Sequence, residues 1–290
     1  MRPLSGNLRD AHVALTSNCR SGISAVGSCQ LISQPVHQHA DVLGVKISAV
    51  DMDSAVELAM HSIESGDPEY VCAASVHGVM EAQRDPGLLR IYNQAAINIP
   101  DGMPLTWVGW LQGFAQMDRV FGPDFMLQMC RISVSRGYRH FLYGGNPGVA
   151  DELSERLQKM FPGLQIAGTY SPPFRSLNPE EERDVAERIS RTKPHILWVG
   201  IGAPKQERFM AEYVGRFNVP LMVGVGAAFD FHTGRIADCP DWVKRAGLQW
   251  LHRLKQEPGR LWKRYLVNNP VFLWRVAWQL FEAGIPSLQK

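Results

Sequence analysis

The segment His195-Ile-Leu-Trp-Val-Gly-Ile-Gly-Ala-Pro-Lys-Gln-Glu207 decides the fold class. It runs from a short apolar stretch, typical of a buried strand, through a glycine-rich turn into a polar segment typical of a helix start. A strand that passes in this way into a helix is the repeating unit of an α/β protein, in which helices connect parallel strands. We therefore expect further units of the same kind on both sides of this segment.

Short apolar runs recur along the chain and alternate with amphipathic stretches. This alternation predicts a Rossmann-like, mostly parallel sheet with helices on both faces. We find no internal repeat. The predicted strands are Tyr70–Ala74, Ala95–Ile99, His140–Gly144, Gln165–Thr169, His195–Gly200 and Pro220–Val225.

Helix caps mark several of the connections between these strands. Asp51 can cap a helix that Gly66 ends, because aspartate favours the N-cap and glycine the position after the last turn. Asn146, which precedes a proline, fits an N-cap followed by proline at the first helical position. Asn178 repeats this start, and Glu181 adds the acid of a capping box. Each cap predicts a helix directly after it.

Composition divides the chain of 290 residues into three parts. Residues 1–40 are rich in Ser, Gly, Gln and His without periodicity, which predicts a disordered arm, with order beginning near Val42. Residues 41–238 form the predicted core, and residues 239–290 a helical appendage. Pro240, Pro258 and Pro270 are expected to divide this appendage into three short helices.

Positive charge is concentrated in the appendage. The net charge of the chain is +2, too small to indicate nucleic-acid binding, but residues 241–290 hold nine Lys or Arg against three Asp or Glu. Five of the eight tryptophans lie there as well. Basic residues among Trp and Leu are typical of a helix at an anionic membrane surface. The alternative is a core-packing helix with a solvated basic face.

The five cysteines are odd in number and form no C-x-x-C pair, which favours a reducing compartment over a disulfide framework or a zinc ribbon. We find no apolar run of 18 residues and no signal peptide. We therefore expect a cytoplasmic protein that binds peripherally to the inner face of the cytoplasmic membrane. A homo-oligomer is compatible with the sequence.

Three strand ends run into glycine-rich turns, at Gly144-Gly145, Gly200-Ile-Gly202 and Gly224-Val-Gly226. Ligands of open α/β sheets bind at the carboxyl ends of strands, where glycine lets a phosphate approach the backbone and a helix N-terminus favours its charge. The alternative is that each glycine only makes a tight turn. Neither the dinucleotide motif G-x-G-x-x-G nor a P-loop is present, so NAD binding is weakly supported.

Carboxylates and one histidine near these ends are candidate site residues. Asp101 follows an apolar strand and is placed to act as a general base, although Asp-Gly is also common in turns. Gln206 and Glu207 could hold sugar hydroxyls, although an acid in a first helical turn is often only a partner of the helix dipole. His77 follows a strand end at the same edge, and His140 and His195 begin strands and are interpreted as structural.

The D-x-D sequence Asp51-Met52-Asp53 resembles the metal and diphosphate site of many glycosyltransferases. We interpret it instead as a helix cap, because aspartate is standard at an N-cap and in a first turn. We therefore predict neither a metal nor another cofactor.

Five segments in order resemble the WecG/TagA/CpsF glycosyltransferase family from about Val42 to Leu266. They are Asp101-Gly-Met-Pro104, Arg119-Val-Phe-Gly-Pro-Asp124, Gly200-Ile-Gly-Ala-Pro-Lys-Gln-Glu207, Gly224-Val-Gly-Ala-Ala-Phe-Asp230 and Gly247-Leu-Gln-Trp-Leu-His-Arg-Leu-Lys-Gln-Glu-Pro-Gly-Arg260.

The resemblance implies inverting transfer from a UDP-sugar, a hexose or N-acetylhexosamine donor, to an undecaprenyl-diphosphate-linked sugar in the synthesis of a surface polymer. It makes Asp101 the base, implies no D-x-D metal site, and places Arg253, Arg260 and Arg264 near a diphosphate. Combined with the glycine turns it predicts donor contacts from Ser75, His77, Gly102, Gly144, Gly145, Gly202, Pro204, Gln206, Glu207, Gly226 and Asp230.

The chain departs from the family in a loop where many members carry Asn and this chain has Ser75 and His77, so the identity of the sugar stays open. A longer N-terminal arm and the apolar end after Asn268 also go beyond the family's common pattern. Two other functions also stay open at this point. One is a nucleotide-sugar oxidoreductase or epimerase on a Rossmann core, and the other is a non-catalytic membrane scaffold.

Overall fold

The structure, a computed structural model, describes residues 37–284 apart from the side chain of Asp241. Most of the predicted disordered arm, residues 1–36, lies outside the described residues. The strands are β1 His39–Val42, β2 Val45–Ser48, β3 Glu69–Ala74, β4 Ile97–Pro100, β5 Arg139–Gly144, β6 Gln165–Tyr170, β7 Ile196–Gly200 and β8 Leu221–Gly224.

The helices cover most of the connections between strands. They are α1 Met52–Ser65, α2 Val76–Ala82, α3 Pro86–Gln94, α4 Met103–Leu111, α5 Gly122–Arg136, α6 Val149–Met160, α7 Pro179–Thr192, α8 Lys205–Tyr213, α9 Ala228–His232, α10 Asp241–Arg245, α11 Gln249–Gln256, α12 Pro258–Trp262 and α13 Asn268–Glu282, with a π-helical segment Lys263–Val267 between the last two.

Six strands form one sheet in the order β4-β3-β8-β7-β5-β6, and every neighbouring pair is parallel. Side chains alternate between the two faces, so Tyr70 and Cys72 join one buried apolar cluster while Val71 joins the other. Helices cover both clusters. The predicted α/β fold with a Rossmann-like parallel sheet is confirmed, and each predicted strand is present within two residues of its expected ends.

A hairpin precedes the sheet and was not among the predicted strands. β1 and β2 pair in antiparallel fashion, and the first described strand begins at His39, three residues before Val42. Both turn residues, Leu43 and Gly44, have positive φ angles, which is the geometry of a type I′ turn. Leucine is rare in that conformation, so the turn lacks the Asn-Gly or Asp-Gly signal that would have marked it.

Two predicted caps are confirmed and one is wrong. Asp51 caps α1 and Asn178 caps α7, each in a capping box. Asn146 does not cap α6, because this helix begins only at Val149 after Gly148. The carbonyl of Asn146 instead accepts from the Val149 amide, and Gly148 has a φ of 83°, so this segment makes a tight turn with proline and glycine at its centre.

The C-terminal helices differ from the prediction at Pro270, which lies inside α13 and does not separate two helices. Proline removes one backbone donor and crowds the carbonyl four residues earlier, here that of Leu266. The π-helical turn Lys263–Val267 contains that carbonyl and lets the helical path continue through the proline.

Helix α13 packs on the same apolar cluster as the sheet. Its residues Phe272, Val276 and Leu280 are buried in the cluster that contains Tyr70. The side chain of Gln279 also accepts a hydrogen bond from the Leu43 amide at 3.0 Å, which ties α13 to the hairpin. The predicted domain boundary after residue 238 stays a prediction.

Candidate active site

The carboxyl ends of β3, β4, β5, β7 and β8 meet at one edge of the sheet because the strands are parallel. A cavity of about 950 Å³ opens at this edge. Ten of the fifteen predicted site residues line it, namely Ser75, Asp101, Gly145, Gly202, Gln206, Gly226, Asp230, Arg253, Arg260 and Arg264. The sheet edge and the C-terminal helices therefore contribute to the same cavity.

Asp101 directly follows β4 and is held by backbone groups from two other elements. Its amide donates to the Ala74 carbonyl at the end of β3, and its Oδ1 accepts from the Gly122 amide at 2.7 Å. Burial raises the pKa of the Asp101 carboxyl, and the positive charge of Arg119, the Gly122 amide and the charges of Arg253 and Arg264 oppose that increase. A carboxylate in this environment is a stronger base than an exposed one.

Arg119 connects the Asp101 turn to the C-terminal helices. Its Nε donates to the Asp101 carbonyl oxygen at 2.9 Å, and its Nη2 donates to Oε1 of Gln249, the first residue of α11, at 2.5 Å. One turn further along α11 lies Arg253, which lines the cavity. Arg119 lies in one of the five segments that resemble the family. Its contact with Gln249 joins residues 130 positions apart, so no local sequence pattern predicts it.

Three arginines from α11, α12 and the π-helical segment line the same cavity and form a cationic cluster. Glu257 binds both Arg253, at 3.3 Å, and Arg260, at 2.5 Å. Burial, together with the charges of Arg253 and Arg260, lowers the pKa of Arg264, while Asp101 raises it. The buried Nε atoms of Arg253 and Arg264 have no hydrogen-bond partner among residues 37–284. These two atoms are buried, so an anion in the cavity would meet the positive charge of the cluster rather than these two donors.

Gln206 and Glu207 begin α8 but point to different surroundings. Gln206 lines the cavity, and its Oε1 accepts from the Gly226 amide at 3.0 Å, so it joins the turns after β7 and β8. Glu207 is completely buried and lies behind Gln206, accepting from its Nε2 at 3.0 Å. Burial raises the pKa of Glu207 to about 7, with Arg264 and the Tyr92 hydroxyl among the groups that oppose the shift. A donor contact by Glu207 stays a prediction.

The loop after β3 contains the two residues at which the chain departs from the family. Ser75 caps α2 by accepting from the Gly78 amide, and it lines the cavity. His77 lies beside Asn268 of α13, 3.3 Å from its amide nitrogen, and does not line the cavity. Burial and the charges of Arg264 and Arg84 lower the pKa of His77 to about 4, so its ring is neutral at pH 7.

The remaining predicted glycine and proline positions lie at the ends of strands and helices next to the cavity. Gly144 has a φ of 143°, and a Cβ there would lie 2.5 Å from the Gly200 carbonyl oxygen, so only glycine allows β5 and β7 to end side by side. Gly102 is the N-cap of α4, and Pro204 precedes α8. None of Gly102, Gly144 and Pro204 lines the cavity, and their donor contacts stay predictions.

One wall of the cavity was not predicted from the sequence. Residues 172–177, between β6 and α7, line it together with Tyr143, Phe209 and Tyr213. The rings of Tyr143 and Phe209 stack with centroids 4.5 Å apart. The Pro172-Pro173 pair was the available signal for an ordered loop, since proline restricts the backbone.

The interpretations of the histidines and of D-x-D as structural agree with their contacts. Nδ1 of the buried His140 accepts from the Trp198 indole, and Nδ1 of His195 accepts from the Arg139 amide. Asp51 caps α1 and does not line the cavity.

Among residues 37–284 there is no group of three or more His, Cys, Asp or Glu that could hold a metal ion. No helix in the described part of the chain is long and apolar enough to cross a membrane.

Comparison with known proteins gives the same family as the motifs. The family model "Glycosyl transferase WecG/TagA/CpsF family" matches residues 40–285. Three similar relatives are named N-acetylglucosaminyldiphosphoundecaprenol N-acetyl-beta-D-mannosaminyltransferase. That of Bacillus spizizenii is 30% identical over 68% of this chain and 74% of its own length. That of Bacillus subtilis is 26% identical over 72% and 79%, and that of Staphylococcus aureus 24% identical over 83% and 95%. The protein therefore belongs to the WecG/TagA/CpsF family of glycosyltransferases.

Proposed function

We propose that this glycosyltransferase moves an N-acetylhexosamine-type or hexose sugar from a UDP-sugar to a sugar linked through diphosphate to a polyprenyl lipid, with inversion at the anomeric carbon. The observation that carries the proposal is the cavity itself, in which the Asp101 carboxylate lies within the electrostatic reach of Arg253 and Arg264. A base facing a cationic cluster suits the transfer of a group away from a diphosphate.

The proposed reaction is a single displacement. The acceptor hydroxyl oxygen forms a bond to the anomeric carbon, and the bond from that carbon to the diphosphate oxygen of UDP breaks. Asp101 takes the hydroxyl proton, and UDP leaves with the electron pair. Negative charge grows on the leaving diphosphate, and the positive charges of Arg253, Arg260 and Arg264, which line the cavity, oppose it.

The donor contacts are proposed at the turns after β7 and β8. Gln206 holds the Gly226 amide and thereby joins these two turns beside Asp101. Backbone amides freed by glycine, together with the start of α8, suit the diphosphate of a nucleotide sugar. Asp230, whose pKa is raised by burial, completes this wall of the cavity.

The acceptor is proposed from the relatives. All three are named for transfer to N-acetylglucosaminyldiphosphoundecaprenol, so we propose a diphosphate-linked polyprenyl sugar of this type for the present chain. Such a substrate is embedded in a membrane. We therefore also propose that the enzyme binds peripherally to the inner face of the cytoplasmic membrane through its basic C-terminal helices. A nucleotide-sugar oxidoreductase has no support from these relatives.

The test is an assay of UDP release with a panel of UDP-sugars and a lipid-diphosphate-sugar acceptor. Asp101→Asn should lower turnover by about 10²–10⁴, the usual contribution of a general base. The fold should survive, because Asn keeps an oxygen that can accept from the Gly122 amide. Asp67→Asn, the same change at an exposed loop position, is the matched control and should leave turnover unchanged.

The pH profile separates a base from a merely structural carboxylate. Turnover requires ionised Asp101, and burial raises the pKa of that carboxyl, so the rate should fall on acidification at a higher pH than an exposed aspartate would give. Near-normal turnover of purified Asp101→Asn would remove Asp101 from this role.

A further inference from the structure

Helix α4 is apolar on both of its faces. Its sequence Met103-Pro-Leu-Thr-Trp-Val-Gly-Trp-Leu111 contains no charged residue. Leu105 and Val108 are buried against the protein, yet the side chains on the opposite face remain 37% (Trp107), 43% (Trp110) and 44% (Leu111) exposed. A helix that is apolar all round is normally enclosed by protein or by lipid. The outer face of α4 therefore lacks the polar surface expected where a helix meets water.

The C-terminal end of α4 and helix α13 are linked through the hairpin. The carbonyl oxygen of Asp41 accepts from Nε2 of Gln112, which follows α4, at 2.6 Å and from Nε2 of Gln279 in α13 at 2.9 Å. Side chains from the end of α4 and from α13 therefore meet at one backbone atom of β1. Next to this point α13 exposes a row of aromatic side chains in which Trp274 stacks on Trp278 with ring centroids 6.3 Å apart.

The other end of α4 adjoins the turn between α10 and α11. A Cβ at Gly247 would lie 2.8 Å from the Trp107 ring, so the ring lies against this turn. Leu248 and Leu251, directly after the turn, are 39% and 40% exposed. Helix α4 thus bridges two apolar surfaces of the C-terminal segment.

Exposed cations alternate with exposed apolar residues along the C-terminal segment. Arg245, Lys255, Lys263 and Arg275 are all exposed, and Nζ of Lys263 lies 5.5 Å from the centre of the Trp262 ring. Tryptophan and leucine flanked by lysine and arginine are typical of a surface that enters the headgroup region of an anionic bilayer. A contact between two copies of the chain would instead bring these like charges together.

We propose that α4 is a membrane-contacting helix of the catalytic core, and that its outer face binds an anionic lipid surface together with the exposed aromatic residues of α13. Only the consequence of this contact for the lipid-linked acceptor rests on the proposed function. Helix α4 begins two residues after Asp101 and is nine residues long, which corresponds to about 13 Å. Lipid contact along α4 places the cavity beside the headgroup layer, where a lipid-linked diphosphate lies.

The test measures the partition of the full chain onto vesicles without donor or acceptor, so that it does not depend on catalysis. Vesicles of phosphatidylglycerol and phosphatidylcholine are compared with vesicles of phosphatidylcholine alone. The variants are Leu111→Glu and the neutral Leu111→Gln. Met160→Glu, at a 53% exposed position of α6, is the matched control, and Phe281→Glu reports on α13. Thermal unfolding of each variant establishes that it is folded.

Leu111→Glu should lower the partition coefficient on anionic vesicles by about fivefold or more, since a leucine that enters lipid contributes about 1 kcal/mol or more and the new charge opposes insertion. Leu111→Gln should lower it less, and Met160→Glu should leave it unchanged. Unchanged binding of Leu111→Glu beside a loss in Phe281→Glu would show that α4 does not touch the membrane.

Two further results bear on the occupant of this face and on the proposed function. A wild-type dimer that Leu111→Glu converts to monomers, with vesicle binding unchanged, would make the face an interface between copies and overturn the proposal. Absence of transfer by the wild type, with vesicle binding still dependent on Leu111, would refute the proposed reaction and support the membrane contact.

Discussion

Glu207 is a buried carboxylate whose removal should stabilise the protein at neutral and alkaline pH. Its pKa is about 7 in the folded protein against an ordinary value of 4.5. Folding therefore favours the protonated form, and the folded state carries a cost whenever the group must ionise. The cost is absent well below pH 4.5, grows as the pH rises, and is complete above pH 7. The difference between the two pKa values corresponds to about 3 kcal/mol.

Glu207→Gln should abolish this cost while keeping the local contact, because the new amide oxygen can still accept from Nε2 of Gln206. The free energy of unfolding, measured by urea denaturation from pH 5 to pH 8, should favour the variant over the wild type by an amount that increases with pH to about 3 kcal/mol. Most of the increase should fall between pH 5 and pH 7.

A matched control lies on the same helix. Glu212→Gln changes an exposed carboxylate of α8 in the same way and should change the free energy of unfolding much less than Glu207→Gln, because no buried group is altered. A stability difference for Glu207→Gln that is flat with pH, or that favours the wild type at pH 8, would refute the assignment of a buried, proton-binding Glu207. Glu207→Ala should lower turnover by releasing Gln206, whereas Glu207→Gln should not, which separates support of Gln206 from direct contact with a sugar.

Two further outcomes are expected. Transfer should not require a divalent metal, because Asp51 caps α1. Activity should survive EDTA, and Asp53→Ala should act only through stability. A loss of activity in EDTA that Mg²⁺ or Mn²⁺ restores would contradict this. Arg253→Ala and Arg260→Ala should each lower turnover more than they lower vesicle binding. The expected loss of turnover is about 10–100-fold, the usual effect of a charge-assisted hydrogen bond, and it should be larger at the less exposed Arg253. Equal losses of turnover and vesicle binding would show that both residues are membrane contacts alone.

Local sequence signals predicted the sheet and the edge of the sheet at which the cavity opens. The strand that ends at Gly200 and the turn up to Pro204 could be recognised because apolar runs, glycine turns and helix caps each act within a few residues. The same logic placed Asp101 at the end of β4, where the structure has it.

The features that could not be predicted from the sequence depend on which way a side chain points or on contacts between residues far apart in the chain. Gln206 and Glu207 are neighbours on α8, yet one faces the cavity and the other faces Tyr92, because successive helical residues differ by about 100° around the axis. The pairing of Arg119 with Gln249 joins two elements far apart in the chain. Helix α4 was not recognised as a surface element, since an apolar sequence alone does not distinguish a buried helix from one that faces lipid.

Asp101 and Arg264 carry opposite charges, which gives a physical reason for the C-terminal helices to pack at the edge of the sheet. Burial raises the pKa of Asp101, and burial lowers the pKa of Arg264, so burial disfavours the charged form of each group. Each carries the charge that the other lacks, and their proximity offsets part of both costs. Asp101 comes from the first half of the chain and the three arginines from its last forty residues. The cavity therefore holds the Asp101 carboxyl together with a cationic cluster only when the C-terminal segment lies against the edge of the sheet.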